Sequence, residues 1–465
     1  MDAQPSGGVL SFFQDIPDPR AANVRFQVAD IIAMAIMAVV SGADDWAMVA
    51  QYVQSKAKWL NTFMDLPNGA TPSSHTFRRF FGRLNPEAFE ACFLKWMQQV
   101  VKVSGGKLLA VDGKTLRRSF QHGWDKSGMA HMVSVFAQAN RQVLSQIQCD
   151  GKGQEISAIL KILALVDIQG AVVSIDAMGC QKAIAETIVK SKGDYVLAVK
   201  ENQPSLYEAL ERELNAMVLD GFKGIRHDEH HSEEEGHSRH EIRRTYVTND
   251  LSWLPMRKQW DGLGSVAMVE TIREVLGTEK HEVQTFRRYY ISSLTDCNAA
   301  KMSGCIRGHW GVENNLHWQL DVSFQEDQSR LRKGYGAQNM SRLRRIALNL
   351  IKRNKITRGK ARKGGIKTRR GLAGWDNDFL LEVLTGIPAT SGPFSFQDCM
   401  DFREPTGSNF LINRSVPERH EDEKDQIKGK LKGPAGNLTN GEKQRLRGIP
   451  KYSTAIPARR DATAK

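Results

Sequence analysis

Cysteine is scarce and scattered: the 465 residues hold six, at positions 92, 149, 180, 297, 305 and 399, with no C-x-x-C spacing. That excludes a disulfide framework and a zinc ribbon, and it fits a reducing compartment. Long apolar runs are missing too. The most apolar stretch, Ile31 to Val40, is too short to span a bilayer and is bracketed by Asp30, Asp44 and Asp45. The opening MDAQPSGG has no basic segment followed by an apolar one, so no secretory signal is read. A cytoplasmic, nucleoid-associated protein is the expectation. No repeat of solenoid period is visible. Acidic residues, finally, vanish between positions 330 and 375, which carry sixteen Lys or Arg and no Asp or Glu.

What is present follows from that last absence. The chain carries a net charge of +13, and outside the basic block it is net −3. One segment therefore holds the whole surplus, as an electrostatic surface for a polyanion such as DNA does; a solvated linker is the plainer alternative for the block alone. With 41% hydrophobic residues there is ample material for cores, and two or three domains are expected.

Apolar periodicity predicts helices from residue 11 to about 100, with breaks at Pro67 and Pro72 and with Ser73 or Ser74 capping the segment HTFRRFFGRL. Its Arg78, Arg79 and Arg83 suit either DNA contact or an ordinary surface helix. At residue 107 the texture becomes strand-like: KLLAVDGKTL, then a hairpin turning at Ala139 to Arg141. A helix from Ile156 to Leu165, the strand AVVSIDAMG, a helix from Gln181 to Lys190, the strand YVLAVK and a helix from Pro204 to Met217 follow. Three strands and then alternating helix and strand predict a ribonuclease H-like α/β domain, a mixed sheet flanked by helices. Residues 220–290 read as a β-rich insertion that opens with a charged, His-rich loop. Helices resume at Asn298, and one of them has an apolar face of Met340, Leu343, Ala347, Leu350 and Ile351, with Arg342, Arg345 and Lys352 elsewhere. The domain limits read from these shifts are a disordered start at 1–10, a helical N-terminal domain at 11–104, the α/β domain at 105–387, and a polar, disordered tail at 388–465.

Asp112 and Asp176 each end an apolar strand. A carboxylate at the mouth of a sheet is partly desolvated, and two converging on one edge suit a hard divalent cation; capping the next turn is the alternative role for either. Two-metal phosphoryl transfer needs a third carboxylate. Glu313 is the first candidate because Glu313, His317 and Asp321 share one helix face, with Trp310 and Trp318 off that stripe. Asp321, Glu326 and Asp327 compete with it. Two other patterns mislead: LLAVDGKT has Leu108 where a phosphate-binding loop needs its first glycine, and the cluster His227, His230, His231, His237 and His240 matches no zinc-protease spacing and reads as a solvated or DNA-facing loop.

The ordered motifs VDGKTLRRS, SIDAMGCQ, KGDYVLAVKENQP, EEGHSRHEIR, RGHWGVENNLHWQLDVSFQEDQSRLR, NMSRLRRIALNLIK and AGWD resemble the H-repeat-associated family of DDE-type insertion-sequence transposases. The likeness spans about residues 10–387, with DIPDPR and PSSHTFRRFFGRL matching the family's N-terminal region. It implies that Asp112, Asp176 and Glu313 form an acidic triad binding Mg²⁺ or Mn²⁺, that water frees 3′-hydroxyls at the element's ends, and that these attack target DNA. It also implies a homodimer on double-stranded DNA. The superfamily's Tyr-Arg-Glu-Lys signature is altered: His309 stands four before Glu313, Arg307 two further back, and Leu320 where Lys belongs. Arg307, His309 and His317 are the candidates for its DNA contacts, joined by Arg330, Arg332, Lys333, Arg342 and Arg345 from the basic block. The rival readings are a metal-dependent nuclease without strand transfer and a catalytically silent DNA-binding relic.

Overall fold

The apolar run at Ile31 to Val40 is buried on all sides, and that makes α1 (Val28–Val40) the hub of a helical layer. The chain then turns through α2 (Trp46–Ser55), the short α3 (Ala57–Leu60), α4 (Ser74–Arg83) and α5 (Pro86–Val100). Polar caps set two of these starts. The Asp45 carboxylate accepts the Met48 N–H, and Ser73, one of the two residues from which the sequence predicts a cap, accepts the Thr76 N–H on its hydroxyl. The computed structural model describes residues 9–20, 24–64, 66–100, 107–120, 129–149, 151, 153–236, 239–275, 283–358 and 364–386. Most of the start at 1–10 and all of the tail at 388–465 lie outside the described residues. Among the described residues no helix is long and apolar enough to cross a membrane.

The sheet follows. Strands β1 (Leu108–Thr115), β2 (His131–Ala137) and β3 (Gln142–Gln148) form an antiparallel meander. After α6 (Glu155–Leu165), strand β4 (Val172–Ile175) runs parallel to β1; after α7 (Lys182–Lys190), β5 (Asp194–Val199) runs parallel to β4. This is the ribonuclease H-like arrangement. Helix α8 (Pro204–Leu219) leads to four antiparallel strands, β6 (His227–Gly236), β7 (Arg239–Thr248), β8 (Ser265–Val275) and β9 (Val283–Ser292). Strand β9 pairs with β5, so the insertion extends the sheet to nine strands in the order β3-β2-β1-β4-β5-β9-β8-β7-β6.

Here one expectation is corrected: the His-rich stretch is strand β6, not a loop. Both its faces are largely solvated, so it lacks the apolar alternation that betrays a strand, and ion pairs across the ladder take its place. His240 lies 2.6 Å from Glu233, and Arg243 pairs with Glu234 at 3.0 Å. His237 lies outside the described residues.

Side-chain alternation gives the sheet two covered faces. Val173, Ile175 and Leu197 pack with Ile159, Ile162, Ile184 and Ile188 of α6 and α7. Val172 and Val196 pack instead with Ala299, Met302 and Ile306 of α9 (Ala299–Val312). After α9 come a wide helical turn (Glu313–His317), α10 (Trp318–Phe324), α11 (Gly336–Arg358), α12 (Ile366–Trp375) and α13 (Asn377–Thr385).

Helix α11 overturns a second expectation. It packs against α1, α4, α5 and β3 and is buried around its circumference, so Arg342 and Arg345 are internal and cannot meet DNA where they lie. Arg342 Nε donates to Glu90 at 2.6 Å, and Arg345 Nη1 to Glu326 at 3.0 Å with both side chains fully buried. Arg344, Lys352, Arg369 and Arg370 are buried as well; Arg370 bonds Asp44 at 2.8 Å and the Val39 carbonyl at 2.9 Å. A guanidinium can be kept inside when its fork finds several acceptors, and the ends of α1 and α5 supply them. Arg330, Lys333 and Lys367 remain exposed and Arg332 half-buried; positions 359–363 lie outside the described residues.

Candidate active site

Parallel pairing of β1 with β4 matches Val111 to Ile175, so the next residues, Asp112 and Asp176, stand at the same level on neighbouring strands. Asp176 follows the end of β4, but β1 runs on to Thr115 through its pairing with β2, so Asp112 lies within its strand and not at the end that the sequence predicts. Both line a cleft of about 80 Å³, with His131, Glu155 and Met178 around it. Asp112 is half-buried and its Oδ1 accepts the Gly113 N–H at 2.8 Å. Burial pushes its pKa up to about 6; the neighbouring Asp176 and Glu313 charges add to that, while His317 and the Gly113 N–H oppose it. Asp176 is exposed and also caps the turn at Ala177–Gly179, accepting the Gly179 N–H at 3.4 Å. For Asp176 the capping role and the cleft position therefore coexist.

Glu313 arrives from α9. Ser174 Oγ lies 3.1 Å from His309 Nδ1, which ties that helix to β4, and burial lowers the His309 pKa. Directly after α9 the helix widens: the Trp318 N–H bonds the Glu313 carbonyl, five residues back, giving a π turn over Glu313–His317. Here His317 Nδ1 sits 3.4 Å from Glu313 Oε2 and 3.6 Å from Asp112 Oδ2. The Glu313 carboxyl is held below its ordinary value, first by its hydrogen bond to His317. Among the described residues the one cluster compact enough for a metal ion is Asp112, Glu313 and His317, whose ligand atoms lie within 4.8 Å of one another.

The competing carboxylates are engaged elsewhere. Asp321 accepts from the buried Lys114 at 2.5 Å, Asp327 pairs with Arg117 at 3.2 Å and lies 3.8 Å from Lys114, and Glu326 belongs to Arg345. Asp321 thus parts company with Glu313 and His317, because the π turn breaks the uniform helical stripe that the spacing predicts.

His317 is buried and bridges two carboxylates, so the DNA contact expected of it is corrected to a place inside the acidic cluster. Arg307 is exposed and pairs with Glu234 of β6 at 2.6 Å. Arg332 donates to the Arg118 carbonyl at 3.2 Å and stacks on Phe120. The Tyr335 N–H bonds the Gly82 carbonyl, so residues 330–335 abut α4 with its exposed Arg78, Arg79 and Arg83. Sequence reasoning missed Lys114, His131 and Glu155; the only signal for the first was the GKT that imitates a phosphate-binding loop.

The donor set suits a hard divalent cation. The half-buried Asp112 and the exposed Glu313 offer carboxylate oxygens beside the His317 ring, Lys114 is turned to other acids, and His317 Nε2 is buried without a hydrogen-bond partner.

Residues 104–350 match the model described as "Transposase DDE domain", and residues 10–97 the one described as "DDE_Tnp_1-associated". The chain is 36% identical over 378 residues to the "Putative transposase YncI" of Escherichia coli O157:H7, covering 81% of this chain and 94% of that protein. It is 36% identical over 377 residues to the "H repeat-associated putative transposase YhhI" of Escherichia coli (strain K12), covering 80% and 96%.

Proposed function

This chain belongs to the DDE transposase family and is an insertion-sequence DNA transposase; on that premise we propose that Asp112, Asp176 and Glu313 are its catalytic carboxylates. The observation that carries the assignment is the level placement of Asp112 and Asp176 on neighbouring parallel strands, with Glu313 brought to Asp112 through His317. The family uses divalent metal; here the three carboxylates would hold Mg²⁺ or Mn²⁺, with His317 as a further ligand or as the group that orients Glu313. When bound, such ions supply the positive charge that activates the attacking oxygen and stabilises the leaving one.

Two reactions follow in our reading. Water attacks a phosphodiester at the element's end and breaks its bond to the 3′ oxygen, which leaves as a hydroxyl. That 3′-hydroxyl then attacks a target phosphodiester, so one phosphoester bond replaces another and no external energy source is needed. The chain's part is to orient. Asp112 is fixed by Gly113, Asp176 by its turn, Glu313 by the π turn, and His309 by Ser174.

For DNA we assign the exposed Arg78, Arg79 and Arg83 on α4, then Arg330, the half-buried Arg332 and Lys333 beside them, with the exposed Arg307 and the half-buried His309 nearer the acidic cluster. Arg307 would exchange Glu234 for phosphate. Joining two ends calls for two active sites, so a homodimer on DNA belongs to the proposal, as do the domain limits at 11–104 and 105–387.

The test is cleavage of duplex carrying the DNA that flanks the gene, with Mg²⁺ or Mn²⁺. Nicked ends and joined products from the wild type, and neither from Asp112→Asn, Asp176→Asn or Glu313→Gln, are expected. Cleavage without joined products would convert the reading to a nuclease, and wild-type activity in the Asp176→Asn variant would refute the carboxylate assignment.

A further inference from the structure

We propose that Lys352 is a positioning residue that holds the π turn open and thereby sets where His317 stands between Glu313 and Asp112. This rests on the reading of Glu313 as a metal-binding carboxylate. A π turn holds one residue more than the α-helical turn it interrupts, and it survives only where the surroundings favour it. Two side chains bond the backbone of this stretch. Asn315 Nδ2 donates to the Gly311 carbonyl at 2.9 Å, and Lys352 Nζ, reaching across from α11, donates to the Asn315 carbonyl at 2.6 Å.

Lys352 is placed for that task and for little else. Its side chain is 8% exposed, its Nζ also donates to the Arg141 carbonyl at 2.8 Å, and it lies 5.0 Å from the centre of the Phe136 ring. No carboxylate pairs with it among the described residues. Burying an ammonium on carbonyls and an aromatic face alone is costly, and here burial drives its pKa down to about 7. A neutral apolar residue would fill the same space more cheaply. What it would lose is the donor that joins the β2–β3 turn to the π turn.

The consequence is geometric. On an α-helix each residue advances by about 100°, so closing the wide turn to an α-helical one rotates everything beyond it by about that angle relative to α9, while Glu313, which closes α9, stays. His317, at the far end of the turn, would swing about the helix axis and leave its 3.6 Å approach to Asp112. Lys352 touches neither DNA nor metal in this account; it acts through Asn315.

The experiment uses the full chain, Mn²⁺ as the probe, and two readouts: Mn²⁺ affinity by electron paramagnetic resonance and single-turnover cleavage of flanking-end DNA. Lys352→Met is expected to weaken Mn²⁺ binding and slow cleavage at least tenfold each, with end-DNA affinity within twofold of wild type and partial recovery in Lys352→Arg. Leu384→Ala, a buried core variant on α13, serves as the stability control and is expected to change neither readout. A folded Lys352→Met with both readouts within twofold of wild type overturns the proposal, as does an equal loss in Leu384→Ala. If Lys352→Met does not fold, Asn315→Ala is read by the same criteria. Glu313→Gln is run alongside: unchanged Mn²⁺ affinity in that variant defeats the carboxylate reading itself, whereas a loss there with none in Lys352→Met defeats only the positioning role.

Discussion

Replacing Arg345 with alanine, or Glu326 with glutamine, should cost stability before it costs anything else. Both side chains are fully buried 3.0 Å apart, and Ser341 Oγ donates to the same Glu326 oxygen at 2.9 Å. Removing one partner strands the other as an uncompensated buried charge, a loss of about 3–5 kcal/mol. The 344 described residues have an unfolding entropy near 0.7 kcal/mol/K at about 2.1 cal/mol/K per residue, so that loss lowers Tm by roughly 4–7 °C. Scanning calorimetry reads it directly.

Acid gives the sign. Burial raises the Glu326 pKa, but Arg345, Arg344, Lys114 and the Ser341 bond together bring it below the ordinary 4.5. A carboxyl depressed in the folded state stabilises above its unfolded value and loses that contribution as pH falls through the lower folded value. The gap in Tm between wild type and Glu326→Gln should therefore be full at pH 6 and narrow below about 4.5. An Arg345→Ala variant as stable as wild type, but with weakened DNA binding and a shallower salt dependence, would refute the internal role of this arginine.

Other outcomes follow from the same geometry. Neutralising the exposed Arg330 and Lys333 together should reduce the slope of log K against log salt for end-DNA binding by up to about 1.8, roughly 0.9 per phosphate contact, with Tm unchanged; an unchanged slope would remove this edge from the DNA surface. Asp321→Asn should keep cleavage within a few-fold of wild type, while Glu313→Gln should lose at least a hundredfold; the reverse order in a cleavage assay would make Asp321 the third carboxylate. Gly334 has φ +53°, and a Cβ there would lie 2.2 Å from the Gly82 carbonyl oxygen. Gly334→Ala should thus cost about 1–3 kcal/mol, read as a lower Tm, and loosen the 330–335 segment from α4.

Much of this architecture is legible in the sequence because its signals are local. The end of β4 at Asp176, the Ser73 cap and the crossover helices all follow from apolar period and turn chemistry within ten residues. Three features are not. Spacing assumes one helical period, so it joined Asp321 to Glu313 and His317, whereas the π turn sets them apart. A charged side chain in a helix is read as facing water, yet Arg342 and Arg345 find their acids 252 and 19 positions away in sequence, at Glu90 and Glu326. Strand β6 carries no apolar face, and its pairing with β7 shows only when the charges of both strands are laid side by side.

The most direct test of the central claim is excision in cells of a marker bracketed by the gene's flanking DNA, comparing wild type with Asp176→Ala at matched expression. Excision by the wild type and none by Asp176→Ala is the predicted result. Equal excision by both would contradict the assignment of Asp176 to the catalytic carboxylates.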